Sequence, residues 1–301
     1  MAKKVFYASK VNVHANIFSQ NLNDIIEIHI PRAILSAPSL KKGSYNWSIT
    51  DVNKVLVEGS ELITGNLTKS RYASMKKRDG MNTKDIVTDF EVAHTSRFFY
   101  HPVSEIIVHE FSSYINEEDF ISIFQQLIGR DVYIGEIKVI LIPEPHKIRS
   151  ELKSIQKVTS IHFHLIHPNP GKKEFDLYNN LINQHDLKEL DLCMANRDGM
   201  KISDKNDPDH LTDAIESGIQ LVETGYGGVD IKGFDEVKVK GKRKDKIVRE
   251  QRAFLSRKSI RKITVNEFGE EVLLSRIRSF ILDVKDKVVN KGDEDDTNIK
   301  F

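Results

Sequence analysis

A single cysteine, Cys193, among 301 residues excludes an internal disulfide and any all-cysteine metal site. Nothing therefore calls for an oxidising compartment, and a reducing cytoplasm is the expected setting. Long apolar runs are also missing. None exceeds four residues, as at Val139–Ile142, against the ~20 needed to cross a bilayer. Neither a membrane helix nor the apolar core of a secretory signal is expected, and no membrane partner. No G-x-x-x-x-G-K-[ST] occurs, and the one glycine-rich run, Gly225–Gly233, follows a helical pattern instead of opening one. This argues against nucleotide binding of the P-loop or dinucleotide type. H-E-x-x-H and C-x-x-C are absent too, so a zinc site at the histidines stays open as an alternative without support from ligand spacing.

What is present is the composition of an ordinary globular protein, 39% hydrophobic and 30% charged, long enough to bury one large core or two smaller ones. The net charge of +1 conceals an asymmetry. Between Lys238 and Lys262 there are twelve Lys/Arg and two acids, a local balance of +10, which leaves the rest of the chain at −9.

In chain order, Lys4–His14 alternates in part and predicts an opening strand. Asp24–Ile30 is an apolar run that Pro31 is expected to stop. Trp47–Val57 and Glu61–Lys69 predict strands around Glu58-Gly59-Ser60, and Lys69–Asp85, polar and basic, predicts a mobile surface loop. Val87–Tyr100 and Glu105–Phe111 predict a hairpin joined at His101-Pro102. Asn116 is positioned to cap a helix with Phe120, Ile121, Phe124, Leu127 and Ile128 on one face, and Gly129 to stop it. Val132–Ile142 predicts a strand, and Ile148, Leu152 and Ile155 recur at helical spacing.

Val158–Pro170 is the most distinctive stretch. Ser160, His162 and His164 fall on one side of an extended strand, and Ile161, Phe163 and Leu165 on the other. Beyond it, Glu174–Gln184 predicts a helix and Asp191–Asp209 a turn-rich junction. Asp209 is expected to cap a helix bearing Leu211, Ile215, Ile219 and Val222, and Gly225–Lys240 to form a glycine-rich hairpin. Glu270–Val289 predicts a terminal amphipathic helix. The expected fold is α+β, with mixed or antiparallel sheets and helices on one face, compatible with two ferredoxin-like or split β-α-β subdomains. The expected division is a main domain over 1–190, a smaller α+β region over 191–290, and a disordered acidic tail over 291–301.

Several short pieces recur in one order: Val11-Asn-Val-His14, Glu58-Gly-Ser-Glu-Leu-Ile-Thr-Gly65, Phe98-Phe-Tyr100, Val108-His-Glu-Phe111, Ile166-His-Pro-Asn169 and Gly225-Tyr-Gly227. In that order the chain resembles an uncharacterised bacterial domain-of-unknown-function family associated with phage-defence gene clusters. The resemblance spans roughly residues 5–233, implies a defence context and carries no catalytic assignment. The basic band after Gly233 departs from the family's usual ending.

Three constellations carry possible chemistry. Imidazoles titrate near neutrality, and two of them suffice for metal-independent phosphodiester cleavage, so His94, His162 and His164 are the candidate acid/base groups. His94-Thr-Ser96 and His162-Phe-His164 resemble the His-x-Thr/Ser strands of two-histidine phosphoesterases, with His164 standing where the second hydroxyl residue would be. Asp131 with Glu136-Ile-Lys138, and Asp230 with Glu236-Val-Lys238, follow the acid…Glu-x-Lys order with which nucleases hold Mg²⁺. Lys240, Lys242, Arg243, Lys244, Lys246, Arg249, Arg252, Arg257 and Lys258 form a band dense enough to bind polyphosphate. The expected function is nucleic-acid binding in phage defence through this band, with RNA or DNA cleavage if the chain is an enzyme. The alternative is a non-catalytic sensor or adaptor binding a phage protein, a companion defence protein or a second copy.

Overall fold

A computed structural model of the chain describes residues 3–14, 18, 21–169, 185, 187–203, 210–239, 246–266 and 269–289. The expected helix over Glu174–Gln184 and the expected acidic tail lie outside these residues. The described strands are β1 (Lys3–Val13), β2 (Leu40–Lys42), β3 (Tyr45–Val57), β4 (Ser60–Asp79), β5 (Asn82–His101), β6 (Ile106–Glu110), β7 (Ile137–Leu141), β8 (Lys157–Ile166), β9 (Glu189–Ala195), β10 (Gly227–Val239), β11 (Lys246–Leu255) and β12 (Lys262–Asn266). The helices are α1 (Leu22–Asp24), α2 (Ile30–Ser36), α3 (Glu117–Ile128), α4 (Lys147–Ser154), α5 (Asp213–Glu223) and α6 (Glu270–Val289). Antiparallel sheets with a few helices make the fold α+β. No described helix is long and apolar enough to cross a membrane.

The described residues divide into two compact units, one gathering 3–7, 13–139 and 263–282, the other 8–12, 140–262 and 283–289. The first holds most of a sheet whose strands run in the order β12-β1-β6-β5-β4-β3-β2, with β7 also pairing β1. Helix α3 starts as its sequence predicts: the Asn116 carboxamide accepts the Asp119 N–H at 2.7 Å. Phe120, Ile123, Phe124, Leu127 and Ile128 are buried, and Ile121 is only half-buried. Phe98 of β5 meets Phe120 and Phe124 edge-on, at centroid separations of 6.3 and 5.7 Å.

Two expectations fail in this unit. Lys69–Asp85 is not a loop: β4 runs to Asp79 and β5 begins at Asn82, a two-stranded ribbon closed at Gly80-Met81. Gly80 takes the turn at φ +61°, and Lys76 faces Asp85 across the ladder. A ribbon wetted on both faces shows no apolar alternation, so its sequence looks like a loop. Pro31 does not stop the preceding run either. Ile25–His29 is a π-helical turn that continues into α2, and this widened turn just ahead of Pro31 accommodates a residue that breaks the regular i→i−4 ladder.

The second unit contains an antiparallel sheet in the order β11-β10-β8-β9. One face of it packs on α4 and α5 through Ile148, Leu152, Ile161, Phe163, Leu165, Ile215, Ile219 and Val229. Gly218 of α5 lies on the Phe163 ring, where a Cβ would come within 2.7 Å of it. Helix α5 begins after Thr212, later than Asp209 would have capped it, because Leu211 is held in a bridge to Ser203. It ends in a Schellman motif: Tyr226 N–H donates to Leu221 C=O at 2.9 Å, Gly225 N–H to Val222 C=O at 3.1 Å, and Gly225 has φ +86°. The glycines beyond are not turn residues of a hairpin over Gly225–Lys240. Gly227–Val239 is a single strand, and at Gly227 and Gly233 an added Cβ would collide with backbone oxygens of β8.

Candidate functional site

Alternation along β8 decides what the open face of the second unit's sheet presents. Ile161, Phe163 and Leu165 are buried against α4 and α5, so His162 and His164 project from the opposite face. Register then supplies their neighbours. His164 stands opposite Asp191 of β9, and His162 lies between Cys193 of β9 and Asp230 of β10. Paired residues share a face, which gathers two imidazoles, two carboxylates and a thiol on one patch of sheet.

The polar contacts are close. His164 Nδ1 lies 2.6 Å from Asp191 Oδ1, and the same oxygen is 3.6 Å from His162 Nε2. His164 Nε2 is 3.9 Å from Asp230 Oδ2. The two rings tilt against each other at a centroid separation of 4.0 Å. Ligand atoms of His162, His164 and Asp191 all lie within 4.8 Å of one another, the one such His/Cys/Asp/Glu group among the described residues. The Cys193 thiol is exposed, 3.9 Å from the Ser160 hydroxyl. The cluster is open to solvent, with His164 48% and Asp191 68% exposed at the side chain.

The other sequence candidates are placed elsewhere. His94 lies on β5, in the eight-stranded sheet, stacked flat on Tyr114 at 3.7 Å. Strands β5 and β8 belong to different sheets, so the strand adjacency that would join His94 to His162 and His164 is not formed. Ser96, of the first His-x-Ser piece, is buried and donates to Glu110 C=O. His101 closes a local turn with Ser104 at 2.8 Å. His109 is a core residue stacked on Phe120 at 4.2 Å, and burial pushes its pKa down to about 3.

Neither acid…Glu-x-Lys arrangement forms a metal site. Asp131 precedes β7 in a turn instead of lying on a strand, because Gly135 at φ +64° leads the chain into a β7 that starts only at Ile137. Burial opposes ionisation of Asp131, but Arg32 at 2.7 Å and the Tyr133 N–H outweigh it and hold the carboxyl below the usual carboxylate range. Asp230 and Glu236 are six residues apart on one strand, roughly 20 Å, too far to share an ion.

The basic band divides. Lys240, Lys242, Arg243 and Lys244 lie outside the described residues. Lys246 and Arg249 are exposed on β11, in the part of the β10–β11 hairpin that runs beyond the ladder with β8. Arg249 places its guanidinium over Phe234 at 4.4 Å. Arg257 and Lys258 are exposed in the turn after β11. Arg252 instead ties strands and helix together, donating to Asp235 at 2.8 Å and to Ser154 at 3.3 Å. The Gln156 N–H and Arg252 together hold the Asp235 carboxyl below its ordinary range.

Sequence patterning missed Asp191 and grouped Asp230 with Glu236 and Lys238 instead of with the histidines. The signal for Asp191 was present: Leu190, Leu192 and Met194 pack toward the core while Glu189, Asp191, Cys193 and Ala195 face out. The start of the supposed turn-rich segment is therefore a strand. No curated protein matches the chain. The sequence model described as DUF4747, a domain of unknown function, matches residues 33–253, and the chain belongs to that family.

Proposed function

We propose that this protein binds nucleic acid through the β10–β11 hairpin and cleaves a phosphodiester at the cluster of His162, His164 and Asp191. One observation carries this reading: β10 contributes Asp230 to the cluster and Lys238 to the basic hairpin, so a polyanion held by the hairpin lies along the strand that leads to the cluster. Lysine and arginine on a two-stranded ribbon neutralise backbone phosphates without reading sequence. The imidazoles and carboxylates then supply the groups that phosphodiester cleavage needs. Defence against phage, the setting we propose for this activity, rests on the family resemblance of the short pieces between Val11 and Gly227.

Binding to labelled RNA, single-stranded DNA and duplex DNA across a salt series tests the first half. Affinity is expected to fall steeply with salt, and changing Lys242, Arg243, Lys244 and Lys246 to Gln together should lower the slope of log K against log salt by about 3–4, near one per phosphate contact. Absence of binding at low salt would overturn the reading. A second reading, a non-catalytic adaptor docking a phage or companion protein, is favoured by the β4–β5 ribbon, which exposes Tyr72, Met81, Val87 and Phe90. The double variant H162Q/H164Q separates the two. If it folds and still protects cells from phage, the adaptor reading stands and cleavage by these histidines falls.

A further inference from the structure

We infer that His162, His164 and Asp191 are the protein ligands of a divalent transition-metal ion, with zinc as the best-matched member of the class. The inference rests on the proposed cleavage at this cluster and names its chemistry: the two histidines hold a cation instead of carrying protons themselves.

The donor atoms converge without any loop having to order. Two ligands sit two residues apart on β8, and the third stands directly opposite His164 on β9, fixed by the backbone ladder. Strand-borne ligands keep their spacing better than loop-borne ones. A tetrahedral zinc with bonds of about 2.0–2.2 Å requires ligand atoms roughly 3.3–3.6 Å apart. The distances from Asp191 Oδ1, 2.6 Å to His164 Nδ1 and 3.6 Å to His162 Nε2, bracket that span. All three donor atoms lie within 4.8 Å of one another, so an ion would draw them together by about an ångström at most.

The donor set also selects the ion. Imidazole nitrogen suits zinc and its first-row neighbours, whereas Mg²⁺ and Ca²⁺ take oxygen ligands. Two imidazoles with a carboxylate therefore disfavour Mg²⁺. Three protein ligands on a solvent-facing sheet leave a coordination position open, the arrangement of catalytic and not structural zinc. An ion there would polarise a phosphoryl oxygen and lower the pKa of a bound water. Asp230 Oδ2 lies 3.9 Å from His164 Nε2, beyond hydrogen-bond reach in this structure, and would close on that nitrogen from outside the ligand set once the ion fixed the ring.

Tag-free, full-length protein stripped with chelator tests this by zinc titration calorimetry, metal analysis after dialysis, and the visible spectrum of the cobalt-loaded form. The expected result is one ion per chain, with affinity at least a hundredfold lower in D191N and in H162Q/H164Q, and 10–100-fold lower in D230N. Far-UV circular dichroism of each variant confirms that the exposed substitutions leave the fold intact. A wild-type chain that takes up no more zinc than H162Q/H164Q overturns the inference. The cleavage reading fails separately. Zinc binding with no cleavage of any nucleic acid leaves the metal site standing and removes the nuclease. Cleavage by chelator-stripped protein that is lost in H162Q/H164Q does the reverse.

Discussion

His109 and His164 each lie within an antiparallel strand, and they have opposite fates. His109 on β6 faces Phe98 across the ladder and stacks on Phe120 of α3, with neither ring nitrogen hydrogen-bonded and the residue 1% exposed. His164 on β8 points away from α4 and α5, reaches solvent, and is held by Asp191. Burial of an unsatisfied imidazole favours the neutral form, so the first sheet has used its histidine as a flat apolar ring. The second displays its histidines beside carboxylates, as a site does. Which face a helix covers, and not residue type, separates a core histidine from a solvent-facing one.

The contrast is broken most forcefully on β8 itself. Phe163→Ala removes the ring that Gly218 of α5 packs on and is expected to cost about 3–5 kcal/mol, while His164→Ala, one residue along on the open face, should cost less than about 0.5 kcal/mol. Denaturant unfolding of the two variants measures both. Equal losses would mean that the open face is covered by something essential to the fold.

Acid sharpens the comparison next. With its folded pKa lowered to about 3 from an ordinary 6.5, His109 contributes stability that is whole above the unfolded-state value. That contribution is lost as pH falls from about 6.5 toward about 3, because only the unfolded chain takes up the proton, at most about 1.4 kcal/mol per pH unit. His109→Phe keeps a flat ring against Phe120 and should flatten the fall in stability between pH 6 and pH 4. An unchanged slope would show that His109 is protonated in the folded chain.

The smallest expected effect compares helix starts in the two units. Asn116 caps α3 through its side chain, whereas Thr212 makes no side-chain cap hydrogen bond to α5. Asn116→Ala should therefore cost about 1 kcal/mol, and Thr212→Ala less than half of that. Melting temperatures of the two variants provide the check.

Local rules were legible where a single element carried them: the Asn116 cap, the β5–β6 hairpin and the alternation of β8. They were not legible where solvent surrounds an element, as along the β4–β5 ribbon, since patterning records burial and a doubly wetted ribbon has little to record. Half of the candidate site was hidden for a different reason, because it depends on pairing between distant strands. His162 and His164 announce themselves by spacing along one strand. Asp191 enters from 27 residues away and Asp230 from a third strand.

By itself, the sequence determined that His162 and His164 share a face and that Ile161, Phe163 and Leu165 take the other, because side chains alternate along any strand. It also determined that one basic segment stands against an acidic remainder. Only the tertiary structure decided that Asp191 and Asp230 flank those imidazoles, that His94 stays in another sheet, and that Arg252 is spent on Asp235. Strand order and register make those choices. Both are set by how whole faces bury against helices, a sum over many distant residues that no local stretch of chain contains.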